Sequence, residues 1–183
     1  ESLYALLDDA ARLYPDRIAL DYFGATTTYA QVREQVLKAA QVLHEAGVRS
    51  GDTVAIALPN CPQAFVAFYA CMRIGAVAAQ HNPLAPASEI AGQLARHGGR
   101  VAIVWEKTRN QLRGSVPAQT RSWDRATASS APIDPNHPLP TGDDRAVILH
   151  TSGTNGVPKS APLTHRNIGV NVNQCMFWVW KLH

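Results

Sequence analysis

Residues 53–58 read TVAIAL, a compact apolar run, and residues 59–62, PNCP, mark a turn into the apolar stretch QAFVAFYACMRI at 63–74. Gly75 ends that stretch. VAAQ at 77–80 is a second apolar run, SEIAGQLARH at 88–97 a second helical stretch, and VAIVW at 101–105 a third run. The order is strand, helix, strand, helix, strand, the spacing that parallel strands joined by helical crossovers require. The expected fold is therefore α/β, a layered domain with a mostly parallel sheet flanked by helices. Strand order is not readable from the pattern.

On the N-terminal side, Ser2 can cap a helix whose apolar positions Leu3, Leu6, Leu7, Ala10 and Leu13 recur at helical spacing, with Pro15 beyond its end. Ile18 to Tyr22 and Thr26 to Tyr29, parted by Gly24, resemble a hairpin, after which Thr28 can cap a second helix running to about Ala46. That helix points Tyr29, Val32, Val36, Ala39, Ala40 and Leu43 inward, and Gly47 suits its left-handed stop.

With 183 residues the chain suffices for one sizeable core, and 46% apolar against 17% charged residues excludes a disordered tail or fibre. A net charge of +3 falls short of what a dedicated nucleic-acid binder shows. Cys61, Cys71 and Cys175 form no CxxC pair, so neither a disulfide framework nor a zinc site is indicated, and a reducing cytoplasm fits. Ala64 to Met72 is about half the roughly 20 residues a membrane span needs and reads as a buried helix. The chain opens at Glu1 without an initiator Met and closes after an aromatic-rich run, so residues 1–183 read as a single incomplete domain, a piece of something longer.

Between Glu106 and Pro140 periodicity fades, and the segment is expected to be irregular apart from a short helix around Arg109 to Arg113. Arg96, Arg100, Lys107, Arg109, Arg113, Arg121 and Arg125 make a cationic strip there, read as a solvated surface.

Ala146 to His150 is a further buried-strand candidate, and it feeds into Thr151, Ser152, Gly153, Thr154, Asn155, Gly156, Val157, Pro158, Lys159 and Ser160. Gly153 and Gly156 leave backbone amides unobstructed; Thr151, Ser152 and Thr154 add hydroxyl donors, Asn155 an amide donor, and Lys159 a mobile ammonium. The set suits a polyphosphate. The nucleotide-triphosphatase loop GxxxxGK[ST] is excluded by spacing, because Pro158 stands where its second glycine belongs, and Pro158 and Pro162 hinder a helix from starting at Lys159. The next helix is expected after Thr164.

These residues resemble the AMP-forming acyl-CoA synthetase and ligase superfamily, whose loop reads [ST]-S-G-[ST]-T-G-x-P-K-G; TSGTNGVPKS departs at Asn155 and Ser160. If position 160 needs a positive φ, Ser160 is strained there. Thr27 to Gln31, Gly51 to Leu58, Arg73 to Ala79 and Leu163 to Asn167 are also similar to family segments. Phe23 to Tyr29 (FGATTTY), with His81, Asn82, Pro83 and Leu84, resembles long-chain-fatty-acid-CoA ligases of actinobacteria.

The resemblance implies part of the large N-terminal domain of an adenylate-forming enzyme, without its C-terminal lid domain. It implies attack of a carboxylate on ATP to give acyl-AMP and pyrophosphate, then transfer to coenzyme A, with Mg²⁺ assisting. Thr151, Ser152, Gly153, Thr154, Asn155, Gly156 and Lys159 would hold the β- and γ-phosphates, and no proton carrier, nucleophile or metal ligand falls within this chain. The partners implied are ATP, a fatty acid and coenzyme A, with no nucleic acid; peripheral membrane contact and a homodimer stay open. The chain alone is expected to be inactive. Two alternatives remain: a non-catalytic nucleotide-binding or scaffolding module, and an acyl-AMP ligase that loads a carrier protein.

Thr141, Gly142 and Asp143 mimic a ribose-binding TGD but precede the loop, and read as a turn. His81 and His97 are far apart in sequence for a local metal pair, and His150 and His165 flank the loop without carboxylate or Cys at ligand spacing, so all four read as structural. Cys61 and Cys71 read as small buried residues. Phe177, Trp178 and Trp180 read as packing residues, with an acyl tunnel as the alternative.

Overall fold

A computed structural model describes residues 1–99, 101–105, 119–122, 127, 131–151 and 159–181, with backbone alone at 119–122, 151, 159 and 176–181. Five helices and eight strands follow in the order α1 (Leu3–Leu13), β1 (Ile18–Tyr22), β2 (Ala25–Thr28), α2 (Tyr29–Glu45), β3 (Thr53–Ala57), α3 (Pro62–Ile74), β4 (Val77–Gln80), α4 (Ala87–His97), β5 (Val101–Val104), β6 (Gln119–Ser122), β7 (Arg145–Thr151), β8 (Lys159–Thr164) and α5 (His165–Lys181) among the described residues.

Local chemistry sets the boundaries. Ser2 Oγ accepts from the Ala5 amide at 3.3 Å and starts α1. β1 and β2 pair antiparallel around Phe23 and Gly24, whose φ values of 52° and 85° make the primed turn that matches strand twist. Thr28 and Gln31 form a reciprocal capping box on α2. Pro62 opens α3, and Gly75 closes it in the left-handed region.

The larger sheet runs β6-β5-β3-β4-β7-β8. β5, β3, β4 and β7 are parallel neighbours, β6 extends the parallel set beside β5, and β8 alone runs antiparallel, against β7. Alternation along the strands divides the core. Val54, Ile56 and Ala78 join the cluster that holds Leu3, Leu7, Val36, Ala40, Val66 and Ala70 of α1 to α3. Ala55, Ala57, Ala102 and Val104 face the other way, onto Ile90 and Leu94 of α4. Helices thus cover both faces, as a parallel sheet demands.

Two departures from the sequence reading concern edges. Gln119–Ser122 forms strand β6 inside the segment expected to be irregular, pairing Val101 with Gln119 and Val104 with Ser122. Residues 106–118, including the helix expected at Arg109 to Arg113, lie outside the described residues, as do Arg100 and Arg125; Arg96 is exposed. Lys159–Thr164, not foreseen as a strand, is β8 and tolerates Pro162 because an edge strand has one side free of the ladder.

Residues 131–140 strap the molecule on the way into β7. The Ile133 amide donates to Leu37 O at 3.1 Å, burying Ile133 against α2. Arg73, 2% exposed at the end of α3, donates to the carbonyls of His137, Asp134 and Pro135 at 2.9, 3.0 and 3.2 Å, while its guanidinium carbon lies 5.3 Å from the centre of the Tyr4 ring. Among the described residues no helix is long and apolar enough to cross a membrane.

Candidate functional site

β7, apolar from Ala146 to Leu149, runs beside β4, and the chain returns as β8. Ala78 pairs with Val147 and Ala79 with Ile148 on the parallel side. On the other side His150 stands opposite Ser160, and Thr151 opposite Lys159. The two residues that bound the glycine-rich segment are therefore cross-strand neighbours. Ser152, Gly153, Thr154, Asn155 and Gly156 lie outside the described residues, as do Val157 and Pro158. Ser160 sits in paired strand, and Phe23 is the one non-glycine residue at positive φ among those described, so the strain expected at Ser160 is absent.

The segment departs from the carboxyl edge of the sheet, where β3, β4, β5 and β7 all end. β4 connects onward to β5 on one side, whereas β7 connects to β8 on the other. In open α/β sheets such a divergence opens a crevice beyond the strand ends, the usual seat of a ligand.

The opposite end of β7 is bolted to α5. Asp144 accepts from the Thr141 amide at 2.7 Å and its hydroxyl at 2.9 Å, which holds its carboxyl below the usual range, the backbone bond contributing most. Asp143 pairs with Arg166 through two bonds of 2.9 and 3.0 Å, and the Arg166 amide donates to Gly142 O at 2.7 Å. Thr141 to Asp143 is thus the turn the sequence suggested. These carboxylates stand about 20 Å of strand from Thr151, so their charge does not oppose an anion at the loop. Thr164 caps α5 reciprocally with Asn167, at 3.0 and 3.2 Å, and α5 starts where expected, after Thr164.

His165 is fully buried, and its Nδ1 accepts from the Leu3 amide at 3.1 Å; burial first of all keeps its pKa low. It joins α5 to α1, a structural role as read. The fold brings the other three histidines together despite their separation in sequence. His150 lies between His81, just beyond β4, and His97, the last residue of α4, with ring centres 4.8 and 4.9 Å away. Strand register assembles them, and no sequence spacing signals it.

A cavity of about 620 Å³ opens at the carboxyl edge of β3 and β4, walled by Leu58, Phe65, Phe68 and Tyr69, with Gln80 and His81 among its polar groups. Sequence reasoning missed it. The available signal was Phe65, Phe68 and Tyr69 recurring on one face of α3. Cys71 is buried and its thiol pushed up to about 12 by burial, an inert core residue as expected; Cys61 is half-buried. The side chains of Phe177, Trp178 and Trp180 lie outside the described residues. Among the described residues no three His, Cys, Asp or Glu are placed to hold a metal ion.

Comparison with known proteins covers nearly all of this architecture. Residues 7–183 match the family model described as AMP-binding enzyme. The long-chain-fatty-acid–CoA ligase of Bacillus subtilis is 26% identical over 230 residues, spanning 100% of this chain and 40% of that protein. Phosphinothricin tripeptide synthetase PhsC of Streptomyces viridochromogenes is 32% identical over 171 residues, 92% of this chain and 16% of that one. Among solved structures, the Klebsiella oxytoca NpsA N-terminal subdomain in complex with 3-hydroxybenzoyl-AMSN superposes with a TM-score of 0.81 at 30% identity, over 91% of this chain and 41% of the other. The inhibitor-bound N-terminal domain of FACL13 from Mycobacterium tuberculosis gives 0.76 at 28% identity, over 90% and 44%. The chain spans less than half the length of each of these relatives.

Proposed function

The chain belongs to the AMP-binding enzyme family, and from that premise we propose that it supplies the pyrophosphate-gripping hairpin of an enzyme that activates a carboxylic acid with ATP. A carboxylate oxygen attacks the α-phosphorus, the bond from that phosphorus to the bridging oxygen of the β-phosphate breaks, and pyrophosphate leaves with the electron pair. A thiol then attacks the acyl carbon, giving a thioester and releasing AMP. Negative charge gathers on the departing pyrophosphate in the first step. Thr151, Ser152, Gly153, Thr154, Asn155, Gly156 and Lys159 meet that need with donors and one cation. The observation that carries the reading is the cross-strand placement of Thr151 and Lys159, which brackets the donor-rich segment at the carboxyl edge of the sheet.

A long-chain fatty acid is the substrate favoured here, on the similarity to the Bacillus subtilis ligase and the FGATTTY and HNPL segments. Coenzyme A is the favoured acceptor. A carrier protein's phosphopantetheine arm is the second reading, supported by the likeness to NpsA, which is also known artificially fused to ThdA as an adenylation–PCP di-domain. Three free cysteines support a reducing, cytoplasmic setting.

The test is Lys159→Ala in the enzyme that carries this chain. Single-turnover adenylate formation should fall about 100-fold, the scale for removing one preorganised charge-stabilising donor, while thioester formation from preformed acyl-AMP stays unchanged. An unchanged adenylation rate removes Lys159 from the mechanism. Parallel assays with coenzyme A and a phosphopantetheinylated carrier protein separate the two acceptors.

A further inference from the structure

Three imidazoles, from α4, from β7 and from the residue just beyond β4, meet at the loop end of the β7–β8 pair. The His150 ring lies between those of His81 and His97, its plane tilted 38° to one and 41° to the other. Gln93 Oε1 lies 2.5 Å from His81 Nδ1, and Gln93 Nε2 donates to Glu89 Oε1 at 3.1 Å, so α4 orients the first ring through its own side chains. The Nε2 atoms of all three rings are buried without a hydrogen-bond partner among the described residues. Three imidazoles whose Nε2 atoms find no partner among the described residues stabilise a core less well than three apolar side chains would. Nor do the rings form a metal cage, since no three ligands among the described residues are placed for one.

Their position supplies the reason. His150 is backbone-paired with Ser160, and the next pair along the hairpin, Thr151 with Lys159, bounds the donor-rich segment. We infer that His150 is a positioning residue for that segment: gripped by His81 and His97, it ties the end of β7 to β4 and α4 and fixes where Thr151 and Lys159 stand. This role rests on the reading of the segment as the phosphate site.

The grip holds only while the rings are neutral, because imidazolium ions about 5 Å apart repel. Arg96 on α4 adds to the repulsion at His97 and His150, and Glu89 opposes it at His150. Burial, the leading cause for each, holds all three below the ordinary histidine range. The stack is therefore intact at neutral pH and released by acid.

Native-state hydrogen exchange on the 183-residue chain, corrected for intrinsic rates, tests the grip at about pH 7.5 and about pH 5.5. In the wild type, protection of the β7–β8 pairing amides should fall about tenfold on acidification while the β3–β4 pairs hold. His150→Phe keeps a ring in the stack and should reduce that response, since only His81 and His97 then titrate, whereas His150→Ala should lower hairpin protection at both pH values. Should His150→Ala fail to fold, His97→Ala removes one half-buried jaw and should show the same loss. Hairpin amides that track the β3–β4 pairs across pH, or a His150→Phe response equal to the wild type, overturn the inference. The readout needs no nucleotide, so its failure is separate from failure of the phosphate reading, which Lys159→Ala tests.

Discussion

Replacing Arg73 with Met should destabilise the chain by about 3 kcal/mol. The side chain is 2% exposed and donates to three carbonyls at 2.9, 3.0 and 3.2 Å. At about 1.5 kcal/mol for each bond from a charged donor, the three bonds contribute about 4 to 5 kcal/mol, and the contact with Tyr4 adds about 0.5 to 1. Met removes the charge as well as the bonds, which returns part of the desolvation penalty, and Asp134 and Pro135 are exposed enough for water to reach their carbonyls. The remainder, about 3 kcal/mol, is a large share of a domain's usual stability of roughly 5 to 15. Urea unfolding followed by far-UV circular dichroism checks it: with a slope of about 2 kcal/mol per molar, the midpoint should drop by about 1.5 M. Exchange of the Ile133 amide, bonded to Leu37 O, should accelerate before global unfolding, because the strap loses its anchor on α3. A midpoint within about 0.3 M of the wild type would refute the claim that this guanidinium holds the strap leading into β7.

Acid should weaken the fold in a defined window. Burial lowers the pKa of His81, His97, His137, His150 and His165, so the unfolded chain binds more protons and stability is lost as pH falls below about 6.5; His81, pushed down to about 4, alone accounts for about 3 kcal/mol at the acid end. A urea midpoint constant from about pH 7 to about pH 5 contradicts this. Gly75→Ala should cost about 2 kcal/mol, because φ there is +72° and the new Cβ would lie 2.7 Å from Ser50 Oγ. Adding Ser50→Gly should recover the steric part, and thermal melts that show no recovery sink that assignment. The 183-residue chain alone should make no acyl-CoA from ATP, fatty acid and coenzyme A; robust thioester formation by it overturns the division of labour proposed above.

The elements that local chemistry dictates were readable in the sequence. Ser2 and Thr28 carry the side chains that cap α1 and α2, and Gly75 is the residue a left-handed stop needs. The apolar runs of β3, β4, β5 and β7 follow from burial on both faces. What the sequence hid depends on long-range pairing. β6, reading QTRS, has no apolar pattern and is a strand because β5 offers it an edge; β8 carries Pro162, a residue that argues against a strand anywhere but an edge. The histidine stack is hidden for the same reason. His81, His97 and His150 come together only once β4 and β7 are neighbours and α4 crosses back toward β5, an order that no run of residues encodes. The donor-rich segment could be singled out from sequence because its chemistry lies in consecutive residues, and of it the structure describes only the bounding pair, Thr151 opposite Lys159.

The central claim is that the segment between Thr151 and Lys159 grips the terminal phosphates of ATP. The most direct measurement is a crystal structure of the enzyme carrying this chain with a non-hydrolysable ATP analogue and magnesium. Loop donors and Lys159 Nζ should lie about 3 Å from β- and γ-phosphate oxygens. Phosphates bound more than about 6 Å from every one of these groups, with the analogue fully occupied, would contradict the claim.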